Sequence, residues 1–128
     1  MIGIDLAVIS RFDQFFSRHG EKGLRRFLTD DELPAVFSDS GAPRIRRIAG
    51  YWAIKEAVSK ALGCGIGGEL GFHDMQIVHT PKGAPEVLLS PDAGKRHGAK
   101  KIAVSLTHDG DLAIAVAFFP PKCSPLTR

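Results

Sequence analysis

The run Tyr51-Trp52-Ala53-Ile54-Lys55-Glu56-Ala57-Val58-Ser59-Lys60-Ala61-Leu62-Gly63 constrains the fold of this chain more than any other stretch. Its residues suit a helix, and Gly63 stands where a left-handed residue ends one. Ile54, Ala57, Val58, Ala61 and Leu62 recur with helical spacing and form one apolar stripe. A helix with such a stripe needs a second layer to cover it. Glu56 and Lys60 lie one turn apart on a different face, and on their own they read as a solvated pair that supports the helix.

The covering layer is legible on both sides of the helix. Ile2 to Ile9 reads as an apolar strand with Asp5 in its middle. Period-two alternation puts Ile2, Ile4, Leu6 and Val8 on one face and Gly3, Asp5, Ala7 and Ile9 on the other. A carboxylate there is costly to bury unless a cation or hydrogen-bond donors meet it, and small Gly3 and Ala7 would leave room for a ligand beside it. Ser10 to about His19 turns helical, with Ser10 as a candidate N-cap, and Gly20 and Gly23 break the pattern. Thr29-Asp30-Asp31-Glu32 resembles a capping box that opens a second helix, with Pro34 early in it. The central helix should begin near Arg44. Cys64 to Gly71 is a glycine-rich loop matching neither a dinucleotide nor a P-loop motif. Met75 to His79 and Pro85 to Leu89 read as strands joined by a short turn, and Ser90 to about His97 as a short helix. Lys101 to Thr107 and Leu112 to Phe119 form the clearest hairpin, closed around His108-Asp109-Gly110-Asp111.

The expected fold is α+β: an antiparallel sheet packed on a long central helix, in one domain spanning 1–119, with a poorly ordered tail over 120–128. No apolar run approaches membrane-spanning length and the start is not basic-then-apolar, so a cytoplasmic protein with no membrane partner is expected. The two cysteines, Cys64 and Cys123, make neither a disulfide scaffold nor a metal cluster: Cys64 reads as a small apolar residue beside a helix end and Cys123 as a tail residue. The formal charge of +3, with arginines clustered at 25–26 and at 44, 46 and 47, suggests an anionic partner without naming it.

Asp5, Glu56, Lys60 and His108 are the residues on which chemistry could rest. Two carboxylates can hold a hard dication such as magnesium, which keeps waters and takes other oxygens from substrate phosphates. Lys60 would then lie beside those phosphates as a point charge. Such a group suits attack at phosphorus, with a carboxylate or a metal-bound water taking a proton. Spacing alone does not bring these residues together.

The residues Gly3-Ile4-Asp5, Arg11, Trp52 to Gly63 and Val104-Ser105-Leu106-Thr107-His108, in that order, resemble the motifs of the holo-[acyl-carrier-protein] synthases of the 4′-phosphopantetheinyl transferase superfamily. Arg26-Phe27-Leu28-Thr29, Gly65-Ile66-Gly67 and Lys82-Gly83-Ala84-Pro85 extend the likeness, which runs from about Ile2 to Phe119. The resemblance implies transfer of the phosphopantetheine arm of coenzyme A to a serine of apo acyl carrier protein, releasing adenosine 3′,5′-bisphosphate. Carried over, Asp5 and Glu56 would hold Mg2+, with Mn2+ as the alternative ion, and Lys60 would contact the pyrophosphate. His108 with Ser105 or Thr107 would face the phosphorylated adenosine, and Lys82 with Gly83 would clamp its 3′-phosphate. Arg11, Arg18, Arg25 and Arg26 would dock the acidic carrier protein. Members of this short type are trimers with sites between subunits, so a homotrimer is implied. The chain departs from the family pattern at Tyr51, commonly arginine, at Trp52, commonly phenylalanine, at Ile54, commonly small, and at Thr107, where serine is also common. The rival reading is a basic, non-catalytic module for an anionic partner such as nucleic acid. Few aromatics interleave with its basic residues and no readout motif supports it, so nucleic acid is not expected as a partner.

Overall fold

A computed structural model describes residues 1–120; all of the expected tail 120–128 but its first residue, with Cys123, lies outside the described residues. The chain runs β1 (Ile2–Val8), α1 (Ile9–Leu24), α2 (Ile45–Ala61), β2 (Met75–His79), β3 (Pro85–Leu89), α3 (Pro91–His97), β4 (Lys101–Asp109) and β5 (Leu112–Phe118). Short 3-10 turns at Leu33–Val36 and Phe72–Asp74 fill the connections. The strands form one antiparallel sheet in the order β1-β5-β4-β3-β2. Among the described residues no helix is long and apolar enough to cross a membrane.

Helix α2 lies across one face of this sheet and reaches β1, β5 and β4. Its approach is closest where residues are smallest. A Cβ on Gly3 would collide with the Ala57 carbonyl and the Ala61 amide, so α2 sits directly on β1 there. A Cβ on Gly50 would lie 2.7 Å from Leu106 Cδ2, which repeats the arrangement at β4. The expected space for a ligand beside Gly3 and Ala7 is therefore filled by the helix. The other face of β1 is bare: Ile2, Ile4 and Leu6 are 69%, 58% and 52% exposed, and Val116 and Phe118 of β5 continue the apolar patch.

A buried ion pair locks α2 from its far side. Lys55 Nζ donates to Glu32 Oε1 at 2.8 Å and to the carbonyls of Phe27 at 2.8 Å and Phe72 at 3.1 Å. Glu32 accepts from the Thr29 amide at 2.8 Å and, through its other oxygen, from the Ile77 amide at 2.6 Å. Both side chains are fully buried. Burial pulls the Lys55 ammonium below its ordinary pKa, and Glu32 opposes that pull. The capping box at Thr29–Glu32 does form, but it opens only a 3-10 turn, because Glu32 also reaches inward to Lys55 and β2.

Two local expectations change. Ser10 does not cap α1: its hydroxyl and amide bond the Asp111 carboxylate at 2.6 and 2.9 Å, tying the helix start to the β4–β5 turn. His108 is not a turn residue but pairs with Ala113 inside the ladder. Gly20, at φ 58° and outside the helical region, breaks the helical path within α1 as expected, and Gly23 lies in the turn that follows it.

Candidate functional site

Alternation along β1 turns Asp5 to the same face as Gly3, toward α2. The helix there presents Glu56 and Lys60 around its contact with the strand. Lys60 Nζ donates to Asp5 Oδ1 at 3.0 Å and to the Ile4 carbonyl at 3.0 Å. Lys60 thus pairs with the strand carboxylate, and among the described residues it makes no ion pair with Glu56. The Asp5 side chain is sheltered at 16% exposure, whereas Lys60 remains half exposed and open to an incoming anion. Burial first, and the Asp5 charge second, push the Glu56 carboxyl above its ordinary pKa, with Lys60 opposing. Asp5 and Glu56 thus offer carboxylate oxygens beside one another, a donor set whose repulsion a hard dication would relieve, so the residues fit magnesium or manganese.

A second part of the site lies where the start of α2 meets β4 and the β2–β3 turn. A cleft of about 450 Å3 is lined by Arg44, Arg46, Arg47, Tyr51, His79, Gly83 and His108, with Ile54, Pro85 and Leu106 as apolar walls. His108 Nε2–H donates to the Arg46 carbonyl at 3.3 Å. His79 Nδ1–H donates to the Gly83 carbonyl at 3.2 Å, which leaves its Nε2 to accept the Tyr51 hydroxyl at 2.7 Å. Gly83, at φ 91°, holds the turn in a conformation that favours glycine. Three guanidinium groups and two imidazoles around one cleft make an anion site suited to phosphate.

The structure brings together some expected residues and separates others. Asp5, Glu56 and Lys60 converge from β1 and α2, and His108 and Gly83 share the arginine cleft. Lys82 stands exposed on the turn and is not among the cleft's lining residues. Ser105 and Thr107 lie on the opposite face of β4 from Leu106 and His108, paired with Val116 and Ile114. One chain therefore does not bring them to the phosphate end beside His108, because strand side chains alternate. Arg11, Arg18, Arg25 and Arg26 are all exposed, but Arg25 is already engaged with Glu21 at 3.2 Å and Asp30 at 2.6 Å. Arg11 borders an apolar hollow of about 310 Å3 with Leu6, Phe12, Phe15 and Trp52.

From sequence alone Arg44, Arg46 and Arg47 are only a basic cluster, and His79 carries no signal. The signal for the arginines is their place at the start of α2, Arg44 at the N-cap and Arg46 and Arg47 in the first turn, where three basic side chains crowd one helix end. Two of the departures gain a physical setting. Tyr51 contributes its hydroxyl to the cleft network, and Trp52 packs among aromatics, its ring centroid 5.2 Å from that of the edge-on Phe27 and 5.0 Å from that of the tilted Phe72.

Residues 1–117 match the family profile described as the 4′-phosphopantetheinyl transferase superfamily. The holo-[acyl-carrier-protein] synthase of Wolinella succinogenes is 49% identical over 116 residues, covering 91% of this chain and 93% of that protein. The protein of the same name from Sulfurimonas denitrificans is 47% identical over 116 residues, covering 91% of each. Among solved structures, the Helicobacter pylori holo-[acyl-carrier-protein] synthase in complex with coenzyme A superposes with a TM-score of 0.83. It is 40% identical, with 91% of this chain and 97% of that chain covered.

Proposed function

The chain belongs to the 4′-phosphopantetheinyl transferase superfamily and is an enzyme, and from that premise we propose its reaction. It transfers the 4′-phosphopantetheine arm of coenzyme A to a serine of apo acyl carrier protein, with a divalent cation, releasing adenosine 3′,5′-bisphosphate. The observation that carries this reading is the meeting of Asp5, Glu56 and Lys60 at one place from distant parts of the chain. Asp5 and Glu56 would hold Mg2+ or Mn2+, which when bound neutralises charge on the pyrophosphate oxygens. Lys60, half exposed and already within 3.0 Å of Asp5, supplies a further positive charge to the same oxygens. The arginine cleft binds and orients the phosphorylated adenosine end, with His108 and Gly83 in its wall. The serine hydroxyl of the carrier attacks the β-phosphorus in line; its oxygen forms the new bond as the bridging oxygen to the α-phosphorus leaves with the bisphosphate. The serine proton would pass to a carboxylate of the site or to solvent. Most of the rate then comes from positioning and charge stabilisation.

Arg11 and the other exposed arginines of the α1 region, Arg18 and Arg26, are proposed to steer the acidic carrier protein, an attraction that salt should weaken. The bare sheet face of Ile2, Ile4, Leu6, Val116 and Phe118 supports self-association, with three copies as the proposed assembly. Ser105 and Thr107 lie on that same face, so association would carry them to a subunit boundary, where they could meet a neighbour's coenzyme A. Sedimentation should show three chains per particle; a stable monomer at micromolar concentration would contradict the assembly.

Incubating the protein with coenzyme A, Mg2+ and apo acyl carrier protein should add the mass of one phosphopantetheine arm to the carrier. No mass change across several carrier proteins would refute the reaction.

A further inference from the structure

The end of α2, the glycine-rich loop after it and the end of α3 meet at a second cluster that the transfer chemistry does not use. The Cys64 sulfur, a Glu69 carboxylate oxygen and a His97 ring nitrogen all lie within 4.8 Å of one another. Among the described residues no other three side chains of histidine, cysteine, aspartate or glutamate gather in this way. His97 adds an independent sign. Its Nε2 is shut off from solvent and has no hydrogen-bond partner, the one such side-chain atom among the described residues. Leaving a buried polar atom unpaired costs about 1–3 kcal/mol, so such an atom calls for a partner.

The thiol next to it is almost as poorly served. Cys64 Sγ has one weak contact, to the Ser59 carbonyl at 3.9 Å. Burial first, and the Glu69 charge second, push the Cys64 thiol above its ordinary pKa, so without a cation it keeps its proton. Glu69 is exposed and gives solvent a way in. The donor set of sulfur, imidazole nitrogen and one carboxylate oxygen is wrong for magnesium and right for a borderline-soft ion.

We propose that Cys64 Sγ, His97 Nε2 and one Glu69 carboxylate oxygen form a binding site for a divalent transition ion, with zinc the best match and solvent in the fourth position. Binding replaces the thiol proton, which leaves to solvent as the metal–thiolate bond forms. Zn–S and Zn–N bonds of about 2.3 and 2.0 Å put tetrahedral ligand atoms roughly 3.5 Å apart, so atoms within 4.8 Å of one another need contract by no more than about 1.3 Å. The loop can supply that movement, because Gly65, Gly67 and Gly68 meet no neighbour within 4 Å of a would-be Cβ. The bound ion ties the loop that follows the last turn of α2, at Cys64 four residues beyond Lys60, to the end of α3.

Cobalt(II) titration of the full chain under reducing, anaerobic conditions tests the site. A thiolate-to-cobalt charge-transfer band should grow to one equivalent per chain and be displaced by zinc. Asp5 and Glu56 offer no sulfur and cannot give this band. It should persist in Cys123→Ser and vanish in Cys64→Ser, while Glu69→Gln and His97→Ala each weaken cobalt binding at least about tenfold. Zinc should raise the melting temperature of the native chain and not that of Cys64→Ser. Glu69→Gln, at an exposed loop position, keeps the test decisive if Cys64→Ser does not fold. The proposal is overturned by the absence of the band at saturating cobalt, by its loss in Cys123→Ser, or by unchanged affinity in both Glu69→Gln and His97→Ala.

Discussion

Replacing Lys55 by methionine should destabilise the fold by about 3–5 kcal/mol, the range for removing one partner of a buried ion pair. The methionine fills a similar volume, so the loss is electrostatic and not a cavity effect. It strands the Glu32 carboxylate, whose oxygens keep only the Thr29 and Ile77 amides, and it orphans the Phe27 and Phe72 carbonyls. Glu32→Gln should cost a comparable amount by leaving a buried ammonium without its counter-charge. The double variant should cost less than the sum of the two, with a coupling of about 1–3 kcal/mol, because the second change removes the charge stranded by the first. At roughly 4 °C per kcal/mol for a domain of this size, Lys55→Met should melt about 12–20 °C lower. Denaturant titration of the four proteins closes the cycle. A Lys55→Met chain within 1 kcal/mol of the native protein, or strictly additive costs, would refute the reasoning that this pair clamps α2.

Glu56→Gln should separate function from stability. Burial and Asp5 hold the Glu56 carboxyl above its unfolded pKa, so its contribution favours the fold below about pH 4.3 and is lost as pH rises through the higher folded value. The variant should therefore melt no lower than the native chain at pH 7, with that difference closing toward pH 4, while transfer falls by at least about 100-fold. Melting curves across that pH range check it, and a clear loss of stability at pH 7 would contradict it. Lys60→Ala should lower kcat/KM on the order of 100-fold and change stability by less than about 1 kcal/mol, since its ion pair is half exposed; normal kinetics with a large stability loss would reverse the assignment. Gly3→Ala should push α2 off β1 and lower both melting temperature and activity, because its Cβ has nowhere to go but into the Ala57 carbonyl; a native-like melting curve would show that the close approach is not required.

The elements were legible because their signals are local. The period-two pattern gave β1, the turn residues gave β2, β3 and α3, and Gly63 marked the end of α2. What escaped the sequence depends on which faces meet. Lys55 and Glu32 are 23 positions apart, and nothing in either neighbourhood tells a buried pair from two exposed charges. Lys60 had two carboxylates in prospect, and the strand's won because β1 brings Asp5 and the Ile4 carbonyl to the same ammonium. The small residues Gly3 and Ala7 predict room for a ligand, but at Gly3 the helix backbone takes that space. Ser105 and Thr107 followed the family motif, whereas strand alternation within one chain sets them opposite His108. Cys64 and His97 carried no shared signal, since the loop and α3 join them only in three dimensions.

The claim underneath the proposed reaction is that Asp5 and Glu56 hold a single dication together. Electron paramagnetic resonance of Mn2+ titrated into the protein with coenzyme A reads this directly. One tightly bound ion per chain is expected in the native protein, and loss of that ion in Asp5→Asn and in Glu56→Gln alike. Retention of the full signal in either variant would contradict it.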